Sequence, residues 1–148
     1  SDGYLQFLVE ELKPFIDARY PSLPDPAHTL VMGSSMGGLI SLYALIEYPD
    51  VFGGAGCLST HWPIGEEVLV DALGAALPSA GRHRLYFDFG TETLDANYEP
   101  WQQRMDEWLR TASYREGRDW STRKFEGAEH SERAWRERVP IPLAFLLG

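Results

Sequence analysis

Gly33-Ser34-Ser35-Met36-Gly37-Gly38 decides the reading of this chain. It follows a β-branched apolar run, Thr29-Leu30-Val31-Met32, and opens a helical pattern, Leu39-Ile40-Ser41-Leu42-Tyr43-Ala44-Leu45-Ile46. The order is a strand, a tight turn with serine at its apex, and a helix. A serine held in such a turn adopts a strained backbone, so the residues two places to either side must be small. Gly33 and Gly37 meet that demand around Ser35, whereas Ser34 would be flanked by Met32 and Met36. The turn lifts the Ser35 hydroxyl above the sheet. It also points the N–H of Met36, at the helix start, toward negative charge developing beside that hydroxyl, as an oxyanion-hole donor does. A glycine-rich turn can equally do no more than pack a helix on a sheet. A chemical reading therefore needs an acid and a histidine in matching places.

Outward from the turn, strands and helices alternate. Residues 4–19 carry Tyr4, Leu5, Leu8, Leu12, Phe15 and Ile16 at helical spacing, with Asp2 as N-cap and a kink at Pro14. Pro21, Pro24 and Pro26 stiffen the loop before a strand at 28–33, and Pro49 stops the helix after the turn. Further strands are expected at 52–58, 84–89 and 120–125, with helices at 66–76 and 97–113. The last helical stretch starts near Ser131 and is broken by Pro140 and Pro142. This alternation predicts an α/β fold: one domain over residues 1–148, with a mostly parallel sheet and helices on both faces.

In open parallel sheets, ligands collect beyond the carboxyl ends of the strands. Ser35 follows the first strand, His61-Trp62 the second, Glu92 and Asp95 the third, and Glu129-His130 the fourth. All the candidate chemistry thus falls on one edge, in the order serine, acid, histidine. A serine hydroxyl is a weak nucleophile, so an imidazole must take its proton and later return it to the leaving group. His130 is the candidate base. A carboxylate must hold the imidazole tautomer. Asp95 is favoured for this, because a short side chain in a fixed turn orients an imidazole well, and Glu92 is the alternative. Asp88, inside the strand, is expected to make a structural hydrogen bond. His61 and Trp62 are candidate substrate-binding residues at the mouth of the site. His28 and His83 read as surface residues on the opposite edge. Trp101, Trp108, Trp120 and Trp135 read as packing, and the alternating charges of 115–138 as solvated faces.

Composition sets bounds on the rest. The 148 residues are 44% hydrophobic and 13% aromatic, enough for a real core. A net charge of -9 argues against nucleic acid and anionic membrane surfaces as partners. The single cysteine, Cys57, lies in an apolar stretch and excludes an internal disulfide. No apolar run reaches membrane-spanning length, and Ser1-Asp2-Gly3 lacks the basic region of a signal peptide. No His/Asp/Glu cluster has metal-ligand spacing and no glycine loop precedes a lysine, so neither metal nor cofactor is expected.

Three segments together resemble the putative esterase (esterase D-like) family of α/β-hydrolases. They are Gly33 to Gly38, Gly90-Thr91-Glu92-Thr93-Leu94-Asp95, and Gly127-Ala128-Glu129-His130-Ser131-Glu132 with Trp135. The family includes acetyl and feruloyl esterases, ferric-siderophore esterases, S-formylglutathione hydrolases and mycolyltransferases. The resemblance implies an α/β-hydrolase fold, Ser35 as nucleophile, an acid in the 90–95 loop, and His130 as base. The implied substrate is a small-molecule or carbohydrate-linked ester. The alternative is a non-catalytic hydrolase-fold binding module or an inactive fragment. One departure stands out. The family places several strands before the serine turn, and a loop among them gives a second oxyanion N–H. Here a single helix precedes the turn. The expectation is either the C-terminal portion of a longer protein or a fold completed by another chain, with an unpaired sheet edge and low activity by itself.

Overall fold

The computed structural model describes all 148 residues. Four strands form one parallel sheet in the order β1-β2-β3-β4: β1 is Leu30–Ser34, β2 Gly54–Leu58, β3 Arg84–Gly90 and β4 Trp120–Phe125. The register runs without slippage, Ser34 opposite Leu58 and Leu58 opposite Asp88. β1 is an edge strand, paired on one side only.

Side chains alternate across the sheet, as the strand period demands. Ala55, Cys57, Leu85, Phe87 and Trp120 face one way, into a core built with Leu42, Leu45, Val70, Met105 and Leu109. Those partners come from α3 (Met36–Glu47), α4 (Glu66–Ala75) and α5 (Glu99–Thr111). Leu58 and Tyr86 face the other way, against Leu146 of α7 (Pro140–Leu147), with Trp135 of α6 (Glu132–Arg138) packed beside them. Helices therefore cover both faces. Each fully buried Leu or Phe contributes on the order of 1.5–3 kcal/mol to holding these layers together. No helix is long and apolar enough to cross a membrane.

Several local expectations are corrected. The first strand starts two residues later than 28, because Pro26–His28 form a 3-10 turn. Residues 2–19 are helical throughout, but as α1 (Asp2–Gln6), a π-helical segment Phe7–Leu12, and α2 (Lys13–Arg19). Pro14 has no N–H to give and crowds the carbonyl one turn back, and the widened segment lies just before it. Asp2 sits in the first turn rather than at the cap, which is Ser1. The last helical stretch is broken at Pro140 as expected, α6 ending at Arg138, but Pro140 and Pro142 also open the next helix, α7, where the first-turn N–H groups would lack acceptors in any case. His83 is 5% exposed rather than on the surface, its Nε2 2.8 Å from the Pro49 carbonyl. Cys57 is wholly buried, and that burial pushes its thiol far above the usual range.

Candidate active site

The turn after β1 owes its shape to two glycines in different ways. Ser35 has φ 57 and ψ −120, a conformation that non-glycine residues rarely hold. A Cβ at Gly33 would come within 2.6 Å of the Gly37 backbone, so Gly33 can carry no side chain. A Cβ at Gly37 would meet nothing within 4 Å. What matters at Gly37 is how close its backbone comes to Gly33, not the space for a side chain of its own. The N–H groups of Gly38 and Leu39 bond to the Ser35 carbonyl, while no loop or turn carbonyl accepts from the Met36 N–H. That donor is free at the helix start.

The loop after β4 reaches the same edge by a close approach. A Cβ at Gly90 would fall 2.1 Å from the Ala128 carbonyl oxygen, and that oxygen accepts from the N–H groups of Thr91 and Glu92. The hydroxyl of Thr93 accepts from the His130 N–H at 2.9 Å. Ser131, next in sequence, caps α6 by accepting from the Ala134 N–H. His130 is thus fixed between a clamped loop and a helix start.

Ser35, His130 and Asp95 form a continuous hydrogen-bonded chain. His130 Nε2 lies 2.8 Å from Ser35 Oγ, and His130 Nδ1 lies 2.6 Å from Asp95 Oδ1. An ionised carboxylate only accepts, so Nδ1 carries the proton and Nε2 is left to accept from the Ser35 hydroxyl. The His130 side chain is 8% exposed and that of Asp95 0%. Asp95 Oδ2 accepts from the Gly90 N–H and from Ser59 Oγ, both at 2.6 Å. Glu92 lies on the surface, with its backbone N–H on Ala128. Asp95 is therefore the carboxylate brought to the imidazole.

His61 is beside this chain, its ring centroid 6.4 Å from that of His130. Its Nδ1 lies 2.8 Å from the Tyr98 hydroxyl. Burial, reinforced by the charge of Asp95, pushes the Tyr98 phenol far above its usual range. Tyr98 therefore donates to His61 Nδ1, and the His61 Nε2–H is left as a donor. Trp62 corrects the expectation of a pocket wall. It is 1% exposed, stacked with Phe87 at 6.4 Å, and its Nε1 donates to Gln102. Its large apolar ring is part of the core, and its neighbour is what lies near the edge.

Three side chains at the site carried no such role in the sequence. Ser59 Oγ accepts from Trp135 Nε1 at 2.9 Å and from an Arg138 guanidinium nitrogen at 2.7 Å. The Trp135 ring meets the His130 ring edge-on at 4.9 Å. Arg138 is 4% exposed and pairs with Asp88 at 2.9 Å, so its part of the 115–138 charge run is buried rather than solvated. Burial raises the Asp88 carboxyl to about 6 despite that partner. The available signal was the helical spacing of Trp135 and Arg138, one turn apart on a single face of α6. No group of three His, Cys, Asp or Glu side chains is placed to hold a metal ion.

A family model described as Putative esterase matches residues 1–145. The chain belongs to that family. It is 28% identical over 90 residues to the uncharacterized protein YbbA of Bacillus subtilis, a match covering 60% of this chain and 35% of that protein. It is 38% identical over 64 residues to the ferri-bacillibactin esterase BesA of the same organism, covering 42% of this chain and 22% of BesA. The crystal structure of enterochelin esterase from Shigella flexneri superposes with a TM-score of 0.77 at 23% identity, over 97% of this chain and 36% of that one. This esterase-family chain thus spans about a third or less of each of these three proteins. The fold it shares with them is that of the α/β-hydrolases.

Proposed function

We propose that the chain carries the hydrolytic centre of a serine carboxylesterase, working through a Ser35 acyl-enzyme. The observation that supports this best is the unbroken hydrogen-bonded chain from Ser35 Oγ through the His130 imidazole to Asp95. His130 Nε2 takes the Ser35 proton as Oγ attacks the ester carbonyl carbon. The carbonyl oxygen gains the negative charge, and the unpartnered Met36 N–H at the start of α3 meets it. Asp95 steadies the imidazolium without taking its proton. The tetrahedral intermediate collapses, the carbon–oxygen bond to the alcohol breaks, and His130 returns the proton to the departing alkoxide. Water, activated by the same imidazole, then frees the acid and restores Ser35.

The substrate in this reading is an ester of a small molecule or of a carbohydrate-linked group, in keeping with the esterase names of BesA and of the Shigella enzyme. The His61 Nε2–H offers a hydrogen bond to its polar part. The test is release of p-nitrophenol from p-nitrophenyl acetate. The burst and turnover are expected to vanish in Ser35→Ala, by about 10⁶-fold for a lone nucleophile deletion, and to persist in Ser34→Ala. Equal signals from wild type and Ser35→Ala would overturn the reading and leave a binding module in its place.

A further inference from the structure

Behind the Ser35–His130–Asp95 chain lies a second polar layer that the reaction above does not use. Its centre is Ser59, the first residue after β2. Ser59 is 0% exposed and holds φ 43. A non-glycine residue in that region carries a strain of about 1–3 kcal/mol, which persists only where the surroundings enforce it. Here they do. The Ser59 N–H bonds to the Asp88 carbonyl at 2.8 Å and to Asp88 Oδ1 at 3.2 Å. Glycine would adopt the same backbone freely. Serine brings a hydroxyl to the spot.

That hydroxyl is fully used. It has one proton to give and two lone pairs to fill. The proton goes to Asp95 Oδ2 at 2.6 Å, and the lone pairs take Trp135 Nε1 and the Arg138 guanidinium. With the Gly90 N–H also on Oδ2, two donors pin one oxygen of Asp95 and leave the other to His130. Arg138 is shared unequally between two carboxylates, 2.9 Å from Asp88 and 4.0 Å from Asp95. Were it paired directly with Asp95, it would cancel the charge that steadies the imidazolium. Asp88 holds it back, and Ser59 stands in between.

We propose that Ser59 is a positioning residue for the His130 base: its hydroxyl aims the Asp95 carboxylate and keeps the Arg138 charge divided between Asp88 and Asp95. This deepens the esterase reading and rests on it. The titratable and charged groups facing His130 are Asp95, His61 and Tyr98, with Arg138 and Asp88 reaching it through Ser59.

The test compares Ser59→Ala and Ser59→Gly with wild type, the glycine variant relieving the backbone strain while also losing the hydroxyl. In both, kcat for p-nitrophenyl acetate is expected to fall by about 10–10²-fold with KM within about twofold of wild type. In both, the downfield proton resonance of His130 Nδ1–H, identified by its loss in Asp95→Asn, shifts and broadens. Asp88→Asn turns more of the Arg138 charge onto Asp95, so the acid limb of kcat/KM against pH moves to lower pH. A packing role alone would lower the amount of folded protein and leave the resonance and the limb in place. An unchanged kcat in both Ser59 variants, or an unmoved resonance, overturns the proposal. Absence of Ser35-dependent turnover in wild type would instead sink the esterase reading, and the resonance would still report whether Ser59 aims Asp95.

Discussion

Ser35 and Ser59 stand at equivalent places on adjacent strands. Each directly follows its strand, each has positive φ (57 and 43), and each sends its N–H to the neighbouring strand, Ser35 to the Leu58 carbonyl and Ser59 to that of Asp88. Their surroundings differ. After Ser35 the chain turns into α3, so the hydroxyl stays half-exposed and meets only His130. Above Ser59 lies α6, whose Trp135 and Arg138 close over the hydroxyl. The same residue type, each time at a positive φ, is thus left open to substrate in one place and sealed into a support in the other. What covers a serine, rather than its local geometry, sets its part in the site.

The comparison can be broken at three further points. The largest effect is expected at the group the two serines share. Asp95 ties to Ser35 through His130 and to Ser59 directly, so Asp95→Asn should lower kcat by about 10⁴-fold, because the amide favours the wrong imidazole tautomer. Steady-state kinetics with an unaltered thermal midpoint would check it, and a loss below tenfold would separate Asp95 from the chemistry.

Next, replacing each serine by glycine should change stability in opposite directions. Ser35→Gly relieves strain and gives up one hydrogen bond near water, a gain of about 1 kcal/mol. Ser59→Gly relieves similar strain but strips buried partners from Asp95, Trp135 and Arg138, a net loss of about 1–3 kcal/mol. Urea melts of the pair decide this, and a shift of the same sign in both would erase the distinction drawn here.

The smallest effect lies in the layer under Ser59. Burial raises the folded Asp88 carboxyl to about 6, above the ordinary 3.8 that the unfolded chain retains. Between those values the folded form binds the proton more readily, so this group adds stability as pH falls through about 6 toward 4. Wild type should therefore gain stability relative to Asp88→Asn on acidification over that window, as followed by thermal melts. A constant difference would mean that Asp88 is not held in a desolvated layer.

Much of the fold was legible because its signals are short-range. The Gly33–Gly37 turn, the alternation of strands with helices, and the place of Ser35, Asp95 and His130 after successive strands all follow from turn stereochemistry and side-chain period over a few residues. The same local rules favoured Asp95 but kept Glu92 as an alternative, because both sit in one loop and only the fold shows which carboxylate turns inward. They put Trp62 at the site when it lies in the core, and they read Pro140 as a stop without showing that it also begins a helix. They gave no hint of Ser59, whose partners Trp135 and Arg138 are 76 and 79 residues away. Sequence alone determined where strands end and which reactive groups stand at those ends, since backbone conformation is set by near neighbours. Only the tertiary structure decided which of those groups are covered, paired or left open, because burial and charge pairing depend on what distant segments bring on top of them.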